Sequence, residues 1–181
     1  MATSGNNDKN NNSMERLQTF KDAHLALAPK NDFAGGLWDK VKITSASTKT
    51  NIAVFTALVP PEYGNHRQSA HGGAIATLFD SLTGCTLALI SEPGYWVSRG
   101  GITLVSEPGY WDGREVTRNL QINYFRPVPV SEKIRIECEI VNAGKRLATV
   151  RGLMKRDSDG TLLASCLHDK FNPVAGGGSK L

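Results

Sequence analysis

The 181-residue sequence predicts a single α+β domain in which a curved antiparallel sheet wraps a long central helix. Three observations lead there. An apolar stretch from Ala74 to Ile90 has the length of a core helix, and the interruptions at Asp80, Ser81, Thr83 and Thr86 argue against a membrane span. Segments of alternating Val, Ile, Thr and Phe flank it, two before and four after. Repeated βαβ units are missing, which disfavours a doubly wound nucleotide-binding fold.

Residues Met1 to Ser13 are mostly Asn, Ser, Gly and charge, with too little apolar surface to offset ordering entropy, so a disordered tail is expected. Met14 to Leu27 reads as an amphipathic helix that offers Leu17, Phe20, Leu25 and Leu27 for packing and closes before Pro29. Trp38–Ser47 and Thr50–Val59 form a hairpin around a Ser-Thr-Lys turn, ended by Pro60-Pro61. The central helix runs from Gly72 to about Ile90, with Ile75, Leu78, Phe79 and Leu82 on its apolar side. Four strands follow: Val116–Phe125, Lys133–Asn142, Leu147–Arg156 and Leu162–Phe171. Pro127 and Pro129, Gly144-Lys145 and Asp157-Ser158-Asp159-Gly160 separate them. The folded domain is thus expected over residues 14–172, with a flexible tail over 173–181. Ahead of the third strand, Ser91-Glu92-Pro93-Gly94-Tyr95-Trp96 recurs as Ser106-Glu107-Pro108-Gly109-Tyr110-Trp111, a tandem duplication that lengthens a loop and leaves room for a short strand at 101–105.

The net charge of +4 is not gathered into a basic stripe, so a small polyanionic ligand is favoured over nucleic acid. Cys85, Cys138 and Cys166 lie in apolar runs without metal-type spacing, as buried reduced thiols of an intracellular protein would. No secretory apolar region precedes the core, which leaves the Asn11-Asn12-Ser13 sequon idle. His24, His66 and His168 are too scattered in sequence to suggest a metal site. The chain has no Gly-x-Ser-x-Gly elbow, and Cys85 has no base beside it in sequence.

The segment that points to chemistry is His71-Gly72-Gly73-Ala74-Ile75-Ala76-Thr77-Leu78-Phe79-Asp80. Glycines at a helix start let a ligand approach backbone N–H groups at the positive end of the helix dipole, which suits an oxyanion. A carboxylate two turns further along, inside an apolar helix, suggests chemistry; a solvated or capping carboxylate at Asp80 and a structural histidine at His71 are the plain alternatives.

Asn65-His66-Arg67-Gln68-Ser69-Ala70-His71-Gly72-Gly73 through Asp80 resembles the hotdog-fold acyl-CoA thioesterases of the PaaI type. Val116–Pro127 resembles the family's strand after the helix, and Ala143–Ala148 its following hairpin, so the likeness spans roughly residues 35 to 172. The resemblance implies a homo-oligomer, a dimer or dimer of dimers paired sheet edge to sheet edge, with active sites between subunits. It implies that Gly72 N–H polarises the thioester carbonyl and that Asp80, from the partner subunit, acts as general base or nucleophile. His71 and Asn65 would orient water and the departing thiol, and Thr117 would assist the carboxylate. Gly73, Tyr124, Arg126, Lys145 and Arg146 are the implied substrate-binding residues, the basic ones toward CoA phosphates, with plain surface charge on loops as the alternative for Arg126, Lys145 and Arg146. Coenzyme A leaves as a stable thiolate, so no metal or other cofactor is called for. A non-catalytic acyl-CoA binder is the alternative from another class; a hydratase or dehydratase of acyl thioesters would use a different Asp and His arrangement.

The chain ends in Ser179-Lys180-Leu181, a match to the receptor-read peroxisomal address, behind a Gly176-Gly177-Gly178 spacer. With acyl-CoA chemistry it suggests a eukaryotic, fungal-like peroxisomal enzyme that engages an import receptor, a cytoplasmic location being the alternative.

Overall fold

The computed structural model describes residues 4–27, 34–91, 111 and 115–173. One six-stranded antiparallel sheet has the order β1-β2-β4-β5-β6-β3. Its strands are β1 (Val41–Ser47), β2 (Ile52–Leu58), β3 (Val116–Tyr124), β4 (Lys133–Ala143), β5 (Leu147–Arg156) and β6 (Leu162–Phe171). Helix α3 (Gly72–Thr86), continued by a 3-10 turn over Leu87–Ile90, lies against its concave face. This is the hotdog arrangement.

The alternation of the sequence sets which side faces the helix. Ala53, Phe55 and Ala57 of β2, Ile134, Ile136, Cys138 and Ile140 of β4, and Ala148, Val150 and Met154 of β5 are all buried. Against them α3 sets Ile75, Leu78, Phe79, Leu82 and Cys85, the i, i+3, i+4, i+7 stripe of a core helix. Register shifts in β1, β3, β4 and β6 bend the sheet around that helix.

Gly152 on β5 sits between Cys138 of β4 and Cys166 of β6, and the Phe79 ring fills the space a side chain would take. A Cβ there would fall 2.7 Å from Cys166 Sγ and 2.8 Å from Phe79 Cδ1. The missing side chain thereby seats α3 on the sheet at one height.

Helix α1 (Ser4–Leu27) begins well before the expected start at Met14, in place of the disordered tail expected over residues 1–13, of which Met1–Thr3 lie outside the described residues. The docked half, residues 14–27, supplies the helix nucleus from which this poor helix-forming stretch continues. Leu17 is fully buried, and Lys21 donates to Val41 O, so α1 covers the β1 edge of the sheet. Arg16 Nη1 donates to Leu89 O at 3.2 Å and Ser91 O at 3.1 Å, supplying a cation to the carbonyls where the central helix ends.

Trp38, expected to open the first strand, instead closes the short helix α2 (Gly35–Trp38), with its ring buried against His24. The hairpin turn that follows β1 places Asn51 at φ 56, a left-handed position Asn tolerates. The other strand limits agree with expectation to within a few residues. Between α3 and β3, the duplicated segment and the expected strand at 101–105 lie outside the described residues apart from their ends, Ser91 and Trp111. Both ends are buried, and Ser91 Oγ donates to Trp111 O.

Candidate active site

The sequence-predicted residues fall into two groups, one at each end of β3. The first surrounds the start of α3. His71 is the helix N-cap, in extended backbone, and its Nδ1 accepts from Gly73 N at 3.0 Å. That bond leaves the proton of the neutral ring on Nε2, as an outward donor. Ala74 N and Ile75 N both bond His71 O, at 2.9 and 3.2 Å. Gly73, Ala74 and Ile75 are therefore satisfied, and Gly72 N is the first-turn donor for which the described residues supply no acceptor.

Asn65 Oδ1 accepts from Arg67 N at 2.8 Å and Ser69 N at 3.3 Å, folding the loop ahead of the helix and leaving its amide NH₂ as the group available to a ligand. Tyr124 Oη donates to Gly72 O at 3.0 Å, and Arg126 Nη1 to Leu162 O at 2.9 Å. Asn65, Arg67, Gly72, Ile75, Tyr124 and Arg126 line one open cavity of about 350 Å³.

The second group lies further along α3. Thr117 Oγ1 donates to Asp80 Oδ1 at 2.6 Å, His168 Nε2 lies 3.3 Å from the same oxygen, and Lys170 Nζ 3.2 Å from it. Thr117 Oγ1 is also 3.1 Å from His168 Nε2 and 3.4 Å from Lys170 Nζ. His168 is fully buried, its Nδ1 2.6 Å from Thr83 Oγ1, which also donates to Phe79 O. The β3 register shift between Thr117 and Asn119 lies beside Thr117, and α3 presents Asp80 next to the seated Phe79.

Burial pushes the Asp80 carboxyl up, but the Lys170 ammonium, hydrogen bonds from Thr117 and Lys170, and His168 more than offset this and leave it below the usual carboxylate value. It is an ionised acceptor at neutral pH. Burial, followed by Lys170, pushes His168 down to about 4 against the opposing pull of Asp80 and Asp169, so this imidazole is neutral.

His168 and Lys170 complete the cluster around Asp80, and sequence reasoning missed them. The signal was present: in β6, Cys166, His168 and Lys170 occupy the inward positions of an alternating strand, where polar groups are costly without a partner. Lys145 and Arg146 do not line the cavity of Gly72. They sit at the β4–β5 turn, where the Arg146 guanidinium stacks 5.3 Å from the Phe171 ring centroid, near the Thr117 end of β3.

Eight residues separate Gly72 from Asp80, which at a helical rise of about 1.5 Å per residue is about 12 Å. One thioester carbonyl cannot touch both groups of the same chain.

Solved structures of the same fold include thioesterase superfamily member 2 from Mus musculus, 23% identical with a TM-score of 0.62, and its zebra fish counterpart, 24% identical with a TM-score of 0.65. Each alignment covers 86% of this chain and 96% of the other. A hypothetical thioesterase from Streptococcus pneumoniae TIGR4, solved with coenzyme A, is 18% identical with a TM-score of 0.57, over 75% of this chain and 90% of its own. No curated protein matches the sequence. The family model of the thioesterase superfamily matches residues 68–163, more than half of the chain, and the chain therefore belongs to the thioesterase superfamily.

Proposed function

We propose that the protein is an acyl-CoA thioesterase of the PaaI type, hydrolysing acyl-CoA to free acid and CoA in a homodimer or dimer of dimers. The observation that carries this reading is the division of the machinery between the two ends of one exposed edge strand. The β1 edge is covered by α1, whereas among the described residues no element covers β3. Antiparallel pairing of β3 with a second copy, centred on Gln121 so that Leu120 lies opposite Ile122, sets Thr117 of one chain against Tyr124 of the other once the extra residue between Thr117 and Asn119 is passed. Asp80, held by Thr117, then faces the Gly72 N–H of the second copy.

In that arrangement Asp80 takes a proton from water as the water oxygen attacks the thioester carbon. The negative charge on the carbonyl oxygen is received by Gly72 N–H, and collapse of the tetrahedral intermediate breaks the C–S bond and expels CoA thiolate. Lys170 keeps Asp80 ionised, and Thr117 fixes the reacting oxygen's direction. Direct attack by the carboxylate, through an anhydride that water then opens, uses the same residues. Asn65 and His71 Nε2–H are placed to meet water and the leaving sulfur, while Arg126 and, across the pair, Lys145 and Arg146 would meet CoA phosphates. The coenzyme A held by the pneumococcal relative supports this ligand class. The Ser179-Lys180-Leu181 end supports import into peroxisomes of a fungal-like cell.

The test is thiol release from short, medium, long and aromatic acyl-CoAs, with Asp80→Asn as control. Turnover of at least one ester, lowered about a hundredfold or more in the variant, is expected. Tight acyl-CoA binding without turnover would instead make the protein a binder.

A further inference from the structure

We propose that Tyr124 is a positioning residue for the oxyanion donor: its hydroxyl, donated to Gly72 O, ties the first turn of α3 to the edge strand and so fixes the aim of Gly72 N–H. What that N–H does rests on the thioesterase reading; the tie itself does not.

The first turn of α3 begins with two glycines, which lack the side chains that restrict the backbone elsewhere in the helix. Ahead of them, His71 is anchored by its N–H to Tyr63 O at 2.8 Å, and Ala70 N bonds Val128 O at 2.7 Å. Beyond Gly72, the first turn is held by bonds internal to the helix and its cap, from Gly73 N to His71 Nδ1 and from Thr77 Oγ1 to Gly73 O. The Tyr124 hydroxyl is the one side-chain group from outside the helix that bonds this turn among the described residues. The residue bearing the free N–H is thus gripped on both sides, by Tyr63 through His71 and by Tyr124 through its own carbonyl.

The ring adds to the grip. A methyl on Gly72 would lie 3.7 Å from Tyr124 Cζ and Oη, so the phenol lies in van der Waals range of where a side chain would begin. Tyr124 is itself held at the end of β3, opposite Ala164, with Phe125 N and Arg126 N both bonding Leu163 O. Burial pushes the phenol up, so it remains a donor through any ordinary assay pH. The strand that would pair with a second copy thereby carries at its end the group that orients the oxyanion donor, and the aim of Gly72 follows the position of the seam. A residue that merely lined the substrate cavity would have its hydroxyl turned to the ligand, whereas this one is spent on the helix.

The test is Tyr124→Phe, which keeps the ring and removes the bond. With the acyl-CoA that wild type turns over fastest, kcat is expected to fall about tenfold while KM stays within about twofold. Amide exchange measured by NMR on the full chain without substrate should be about tenfold faster at Gly73 and Ala74. Unchanged kcat overturns the proposal, as does a raised KM with kcat kept, which would make Tyr124 a substrate contact. Lower kcat with unchanged exchange also overturns it, since the hydroxyl would then act on the reaction directly. If wild type hydrolyses no acyl-CoA, the thioesterase reading falls, and the exchange comparison alone still decides whether Tyr124 ties down the turn.

Discussion

Protonation of His168 is the perturbation whose cost the structure fixes best. The ring is wholly buried with Lys170 on its own strand, and its affinity for a proton falls from the ordinary 6.5 to about 4. Because the folded pKa is the lower one, the unfolded chain binds the extra proton first as pH drops. Stability is therefore unaffected by this group above about 6.5, falls between about 6.5 and 4, and levels off below 4. The gap between 6.5 and about 4, at about 1.36 kcal/mol per pH unit, amounts to about 3 kcal/mol. That is a large share of the roughly 5–15 kcal/mol that holds a typical domain. Urea denaturation of wild type and His168→Gln at pH 7.5 and 4.5 isolates the contribution, since Asp80, the carboxylate in contact with the ring, is held below the usual range and stays ionised over that interval. The variant is expected to lose about 2–3 kcal/mol less than wild type across that interval. Equal losses in the two proteins, or an imidazole resonance titrating near 6.5, would refute the account of His168 as a buried neutral ring.

Three further outcomes rest on the contacts of Lys170, Gly152 and Ser91. Lys170→Met removes the cation that offsets the burial of Asp80, so the acid limb of the kcat/KM profile should move to higher pH; a limb that stays in place would mean that another group titrates there. Gly152→Ala forces a methyl against Cys166 Sγ and the Phe79 ring, and should cost about 1–3 kcal/mol in urea denaturation along with some activity, because Asp80 moves with Phe79. Deleting residues 92–106 joins Ser91 to Glu107 and leaves one copy of the repeated hexapeptide between the same two bonded ends. The melting temperature and thiol release should stay near wild type, whereas loss of folding would show that the second copy is structural.

Much of the fold was legible because its signals are local. Alternation, prolines and the Asp157–Gly160 turn delimited β5 and β6 at the residues observed, and the apolar stripe of α3 gave the helix its face. Trp38 escaped because α2 is a single turn over Gly35-Gly36, which local propensity argues against. The start of α1 escaped because residues 4–13 carry no apolar periodicity, so nothing local marks them as helix. The active site divided along the same line. Asn65, His71, Gly72 and Asp80 lie within one continuous segment, and Thr117 followed from the resemblance on the next strand. His168 and Lys170 reach Asp80 only because β6 pairs with β3 in a register that sets Lys170 against Thr117 and His168 against Leu120. That pairing is a tertiary fact, and only the inward polar positions of β6 hinted at it. Tyr124 could be marked as a residue near the ligand, but its bond to Gly72 spans 52 positions of sequence.

Seating Phe79 over Gly152 gives the two ends of α3 different fates under stress. The stretch that carries Asp80 is keyed into the sheet through the fully buried Phe79, so it should come apart with the domain. The glycine end rests on a surface loop and a half-exposed tyrosine, and its opening needs only the fraying of one turn. Mild heat or denaturant should therefore silence the enzyme before the sheet signal changes, with the acid–base apparatus still assembled and the oxyanion hole already lost. Ligands that grip the mouth of the helix would then protect activity more than they raise the global unfolding temperature.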